Sequence, residues 1–242
     1  MSLMRLDKYL ALAGCGTRKE VKKRMKDGQV TVNGRIEKMP EQKIDTETDV
    51  VCLAGTAVVW KRFVCLMFHK PAGCITATED AHARTVMDYI DHPRKEELFP
   101  VGRLDLDTEG LLFLTNDGEL AHRMLSPRHH AEKTYFVRTD GEITQEDAAA
   151  FQEGVDIGEK QVTLPASLVI RKSGPVSEAE LTIYEGKFHQ VKRMFAARGK
   201  RVIYLKRIRM AGLSLDERLA PGEFRELTDE EAERIRGICW KE

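Results

Sequence analysis

The stretch Val101-Gly-Arg-Leu-Asp-Leu-Asp-Thr-Glu-Gly-Leu-Leu-Phe-Leu-Thr-Asn-Asp-Gly118 sets the reading of this chain. It packs three carboxylates and one arginine between Gly102 and Gly110, and an apolar run from Leu111 to Leu114 follows. The run stops at Asn116-Asp117-Gly118, a strong turn signal. Apolar residues in a row before such a turn predict a short buried strand, with Arg103 to Asp107 as a loop at its mouth. Rigid strands hold the loops on which catalytic side chains tend to sit. A solvated acidic turn is the alternative for one such segment taken alone.

Outward from this stretch, composition describes an ordinary globular protein of 242 residues, 42% hydrophobic and 32% charged. That length holds one large domain or two smaller ones. The formal net charge is zero, but binding depends on where charge lies rather than on its sum. Five scattered cysteines without a Cys-x-x-Cys pair point to a reducing cytoplasm, with neither a disulfide framework nor a zinc site. No apolar run approaches the ~18 residues of a membrane span, and Met1 to Arg5 lacks a signal-peptide core. The expectation is a cytoplasmic protein.

Toward the N-terminus, Leu6, Tyr9, Leu10 and Ala13 form a helical stripe between Met4 and Gly14. Thr17 with Glu20 is a capping-box signature, predicting a second helix from Arg18 to near Gly28. Its exposed side carries Arg18, Lys19, Lys22, Lys23, Arg24 and Lys26. Val30 to Val32 leads into the tight-turn pair Asn33-Gly34, and a strand from Asp49 to Leu53 completes a compact unit. Residues 1–55 are expected to fold as one domain, 56–62 to link, and 63–242 to form a second domain.

Beyond the linker, Phe63 to Phe68 predicts an apolar strand ending at His69-Lys70-Pro71-Ala-Gly73, where Pro71 and Gly73 force a turn. Lys70 there either touches phosphate or is a solvated turn lysine. Helices are expected over 85–90, 120–124 and 144–154, and strands from Tyr135, over 162–170 and over 179–184. His129 and His130 are adjacent and point apart; with no third ligand in view, a metal site is not expected. From Gly186 to Arg209 there are nine Lys or Arg residues and no acid, interleaved with Phe188, His189, Phe195 and Tyr204. Two concentrated basic segments in a neutral chain make a nucleic acid the expected partner.

The stretches Met4-Arg-Leu-Asp-Lys-Tyr-Leu10 and Gly28-Gln-Val-Thr-Val-Asn-Gly-Arg35 resemble the RNA-binding domain named for ribosomal protein S-four. The block Gly102-Arg-Leu-Asp-x-Asp-Thr-x-Gly-Leu-Leu112 resembles the signature of RNA pseudouridine synthases. Lys133-Thr-Tyr135 is similar to that family's second motif and Glu185-Gly-Lys-Phe-His-Gln-Val-Lys-Arg-Met194 to its third. Ser126-Pro-Arg-His-His-x-Glu-Lys-Thr-Tyr135 and Ala220-Pro-Gly-Glu-Phe224 resemble the branch acting on small-subunit (16S) ribosomal RNA.

The resemblance implies an α+β protein. A small N-terminal α/β RNA-binding domain precedes a catalytic domain on a mixed, largely antiparallel sheet. It implies isomerisation of uridine to pseudouridine in ribosomal RNA, the base being detached, turned and rejoined through carbon, with no cofactor, no metal and no membrane, by a monomer. It places Asp105 as the catalytic carboxylate, Lys192 as its basic partner (Arg193 if the register slips by one) and Tyr135 as the ring that stacks on uracil. Arg103 would fill the vacated space or hold the flipped nucleotide. Lys70, Arg18, Lys19, Lys22, Lys23, Lys133, Lys187, His189, Gln190 and Arg193 complete the expected RNA contacts. Asp107 and Asp117 are expected to cap turns, and His69 stands where the family pattern has asparagine. Three other readings stay open. They are a catalytically silent RNA-binding or assembly factor, a synthase for large-subunit RNA, and a metal-dependent nuclease using Asp105, Asp107 and Asp117.

Overall fold

Leu111, Leu112, Phe113 and Leu114 are all fully buried, which in a strand requires cover on both faces, because successive side chains point to opposite sides. The computed structural model, which describes residues 2–126 and 131–240, shows how that cover is built. The chain divides into two units, Met1–Phe63 with Asp91–Glu96, and Val64–Ile90 with Glu97–Glu242.

In the first unit, β1 (Leu3–Arg5) precedes α1 (Leu6–Leu12) and α2 (Arg18–Lys26). Thr17 and Glu20 form the expected capping box at the start of α2. The strands β2 (Val30–Val32), β3 (Arg35–Ile36), β4 (Lys43–Asp45), β5 (Val51–Leu53) and β6 (Thr56–Ala57) follow. They pair as β3-β2-β5-β6, with β4 against β1. Leu6, Leu10, Val21, Met25, Val30, Ile44 and Val51 make the core.

Two details differ from the sequence reading. The first helix begins at Leu6, because residues 3–5 pair with residues 43–45 as a strand. Residues 56–62, expected as linker, begin with β6, and Trp60 beyond it packs on Tyr9 with ring centroids 6.3 Å apart. The Tyr9 hydroxyl donates to the Val58 carbonyl at 2.8 Å. Arg94 lies over the Trp60 ring and donates to the carbonyls of Lys61 and Arg62, which is why residues 91–96 belong with this unit.

In the second unit, β7 (Cys65–Lys70), β8 (Phe99–Pro100), β9 (Glu109–Thr115), β10 (Lys133–Asp140), β11 (Ser167–Lys172), β12 (Val176–Ile183), β13 (Arg201–Met210), β14 (Leu213–Ser214) and β15 (Phe224–Glu226) form one sheet. Its path is β11-β12-β10-β13-β9-β7-β15, with β14 on β13 and β8 on β9. Every ladder between named strands is antiparallel except β13 with β9. Helices α3 (Gly118–Leu125), α4 (Gln145–Glu153), α5 (Gln190–Ala197) and α6 (Asp229–Cys239) cover it. Leu112, Leu114, Leu66 and Phe68 face a core shared with Phe151 of α4 and Met194 and Phe195 of α5. Leu111, Phe113 and Met67 face a second core with Leu120 and Met124 of α3 and Ile235 of α6. The unbroken apolar run is therefore a central strand between two cores. The strand expected over 162–170 instead spans 167–172, because residues 163–166 bond back to Val155 and Phe151.

At the β9–β13 seam, Gly110 sits opposite Arg207 with φ +106°, and a Cβ on it would overlap the Arg207 backbone. Only glycine fits there. Gly110→Ala is expected to destabilise the protein by about 3 kcal/mol or more, combining steric overlap with backbone strain. The urea unfolding midpoint measures it, and an unchanged midpoint would show the seam to be loose.

Candidate active site

The loop that carries Asp105 is held by main-chain atoms. Val101 N–H donates to Phe113 C=O at 2.8 Å, Gly73 N–H to Leu106 C=O at 2.8 Å, and Thr108 N–H to Asp105 C=O at 3.1 Å. The Thr76 hydroxyl donates to Leu104 C=O at 2.8 Å and accepts from Leu104 N–H at 3.1 Å. At the centre is Lys70, with 0% exposure. Its ammonium donates to the carbonyls of Asp105 (3.0 Å), Thr108 (2.9 Å), Pro71 (3.1 Å) and Leu106 (3.5 Å). Burial pushes this ammonium below the ordinary lysine value, while Cys74, Asp105, Asp107 and Glu109 pull the other way. Lys70 therefore makes no phosphate contact, contrary to the sequence expectation. β7 runs on to residue 70 and turns its side chain inward, because an ammonium is what the converging carbonyls lack.

The opposite wall is the 184–193 segment. Gln190 clasps it, donating to Glu185 Oε1 at 2.9 Å and accepting from Lys187 N–H at 2.9 Å. His189 precedes α5 in the left-handed region at φ +48°, a strained placement for a residue with a side chain. α5 then delivers Lys192 to the acids. Its ammonium lies 3.1 Å from Asp105 Oδ2 and 2.6 Å from Asp107 Oδ1, while His189 Nε2 is 3.5 Å from Asp105 Oδ1. Burial alone would lower the Lys192 value, but its bonds to Asp107 and Asp105 outweigh burial and raise it. The hydrogen bond from Lys192 lowers Asp107 in turn, against some desolvation.

Between the walls lies a cleft of about 950 Å³ whose lining includes Arg103, Asp105, Lys133, Tyr135, Lys192 and Arg207. Tyr135 stands on β10 opposite Arg207 of β13, so the two share a face of the sheet. At the rim, Phe188 is 71% exposed and lies flat on His189, with ring centroids 3.8 Å apart. Burial, and after it the Arg207 charge, push Lys133 down to about 8 from the ordinary lysine value of 10.5.

The structure thus brings Asp105, Lys192, Tyr135, Arg103, His189 and Lys133 together. Several other expected RNA contacts already have protein partners. Gln190 is buried in its clasp. Lys187 donates to the carbonyls of Gln161 and Val162. Arg193 is tied to Glu159, Phe188 C=O and Ile157 C=O, so it is Lys192 that meets Asp105. On α2, Lys19 and Lys23 are exposed. Arg18 (2.9 Å) and Lys22 (3.8 Å) face the buried carboxylate of Asp7. Asp117 caps α3 and faces Arg236, at the far end of β9 from Asp105 and some ~20 Å along the strand, so the three-acid nuclease site is not assembled. His129 and His130 lie outside the described residues. Arg207, which the sequence shows only as one of the nine cations of the basic segment, is buried. The alternation Leu205, Arg207 against Lys206 on a strand was the signal that it points inward.

Comparison with known proteins matches residues 64–197 to the family model "RNA pseudouridylate synthase" and residues 4–51 to "S4 domain". The chain belongs to the RNA pseudouridylate synthase family. It is 47% identical over 230 residues to "Uncharacterized RNA pseudouridine synthase YtzG" of Bacillus subtilis, covering 94% of this chain and 96% of that one. It is 43% identical over 241 residues to "Ribosomal small subunit pseudouridine synthase A" of Vibrio cholerae, covering 98% and 100%. A solved structure described as "Crystal structure of pseudouridylate synthase" aligns with a TM-score of 0.68 at 39% identity, covering 96% and 99%. The chain is an isomerase, and the α+β architecture expected from sequence is the one observed.

Two consequences of this synthase geometry can be measured. Lys70→Met leaves four carbonyls without their donor, and is expected to cost about 3 kcal/mol in urea unfolding and about a hundredfold in turnover, since small misplacements cost that much. Unchanged turnover would show that the loop holds itself. For Lys133, the folded value lies below the unfolded one, so its charge opposes folding below about pH 8 and the penalty is relieved as pH rises toward 10.5. Lys133→Met is expected to unfold at higher urea than wild type at pH 7, with the gap closing by pH 10; a lower midpoint at pH 7 would refute the penalty.

Proposed function

We propose that this synthase converts one uridine of small-subunit ribosomal RNA to pseudouridine, with Asp105 as the catalytic carboxylate. The carrying observation is the Asp105–Lys192 pair, 3.1 Å apart, in the same cleft as Tyr135. The Lys192 ammonium anchors the Asp105 carboxylate by ion pairing. As the N1–C1′ bond breaks, its electron pair leaves with the ring and Asp105 compensates the electron-poor C1′. The ring turns and C5 bonds to C1′. C5 then gives up its proton and N1 takes one, so no oxidant, metal or cofactor enters the balance. Tyr135 offers its ring for stacking on the uracil and its hydroxyl for the closing proton removal. A uridine in folded RNA must be extruded to reach this cleft, and exposed Arg103 would fill the space it leaves or hold the flipped nucleotide.

The ribosomal address rests on relatives in Vibrio cholerae and Pasteurella multocida, the latter 44% identical over 230 residues, both named for the small subunit. The S4-like unit supports it with exposed Lys19 and Lys23, which suit phosphate contacts that give affinity rather than sequence choice. Replacing both lysines with glutamine is expected to flatten the slope of log K against log salt by about 2.

The deciding experiment maps pseudouridine in small-subunit RNA, as transcript and as assembling particle, after incubation with the protein alone. One new pseudouridine, absent with Asp105→Asn although that variant still binds, is the expected result. Equal product from Asp105→Asn overturns the assignment of Asp105. Tight binding without product on any RNA supports a silent RNA-binding factor, and product only in large-subunit or transfer RNA overturns the address.

A further inference from the structure

The floor of the cleft holds two cations that the catalytic reading does not use. Arg207 is 2% exposed; its Nε donates to Leu111 C=O at 2.7 Å, while Nη2 is buried with no partner among the described residues. Lys133 is 8% exposed and its ammonium donates to Ala131 C=O at 2.9 Å. Among the described residues no carboxylate forms an ion pair with either. Glu185, in the same wall, accepts from Gln190 and Leu164 N–H and pairs with Lys187 at 3.4 Å. Buried cations are ordinarily paired, and an orphaned buried donor calls for an explanation. Lys133 and Tyr135 are two residues apart on β10, Arg207 is the cross-strand neighbour of Tyr135, and all three line the cleft.

The geometry points to Arg207 Nη2 and Lys133 Nζ as a subsite for the carbonyl oxygens of the target uracil, beside the ring on which the base lies. This rests on the synthase reading and adds to it a recognition element. A uracil edge carries two carbonyl oxygens and can reach the floor with its ribose still at the rim. A phosphate could reach it only by drawing the RNA chain between the walls. Two cations, rather than neutral donors, suit an acceptor that gains negative charge when the N1–C1′ electron pair leaves with the ring. Holding uncompensated charge in the floor opposes folding, as the depressed Lys133 value indicates, and sites of that kind cluster where ligands bind.

The test uses the RNA fragment carrying the uridine that wild-type protein converts, and the same fragment with that nucleotide abasic. Affinities are measured in the full-length Asp105→Asn protein, so that the substrate is not consumed. Adding Lys133→Met or Arg207→Lys is expected to weaken binding of the uridine RNA about ten- to hundredfold, the usual effect of losing a charged donor, and to leave the abasic RNA unaffected. Equal weakening on both RNAs, with a flatter salt dependence, makes the cations a phosphate site and overturns the proposal. No weakening on either overturns it as well. If Arg207→Lys fails to fold, Lys133→Met decides alone. If wild type converts no uridine in any RNA, the synthase reading itself has failed, and the uracil subsite falls with it.

Discussion

One buried ammonium organises the site. Lys70 at the end of β7 reaches across to four carbonyls, two of them from Asp105 and Thr108 on either side of the loop's bend. Main-chain carbonyls cannot neutralise a charge as a carboxylate does, but converging in number they replace the water that an ammonium loses on burial. Because β7 pairs with β9 over residues 65–70, the lysine's origin is fixed by the central ladder. The carboxylate's position is thus inherited from the most deeply buried part of the sheet.

The charges facing the cleft are arranged differently. Lys192 is shared between Asp105 and the more exposed Asp107, and it comes from the first turn of a helix that follows a strained left-handed His189. Lys192 is held by side-chain attraction, whereas the loop is gripped through its main chain. The clasp of Gln190 on Glu185 limits how far the second wall can move.

Much of this was legible in the chain. The capping box at Thr17 and Glu20 and the strand at Leu111 follow from local patterns that tertiary structure had no reason to override, and the convergence of the Asp105, Tyr135 and Lys192 segments was implied by the family resemblance. What escaped were side chains whose role depends on what faces them. Lys70 and Gln190 read as RNA contacts and Arg207 as one cation of a basic segment, because nothing in a linear string says that carbonyls, a glutamate or a cleft floor will lie opposite. Residues 56–62 read as a linker because β6 is short and Trp60 finds Tyr9 only once the small core has formed.

Since the grip on the loop is made through carbonyls, it is indifferent to the side chains at positions 103 and 106. Arg103 and Leu106 are both exposed at the cleft. Their side chains can change without displacing the carboxylate between them. A scaffold of this kind uncouples the position of the reacting group from the side chains that meet the RNA.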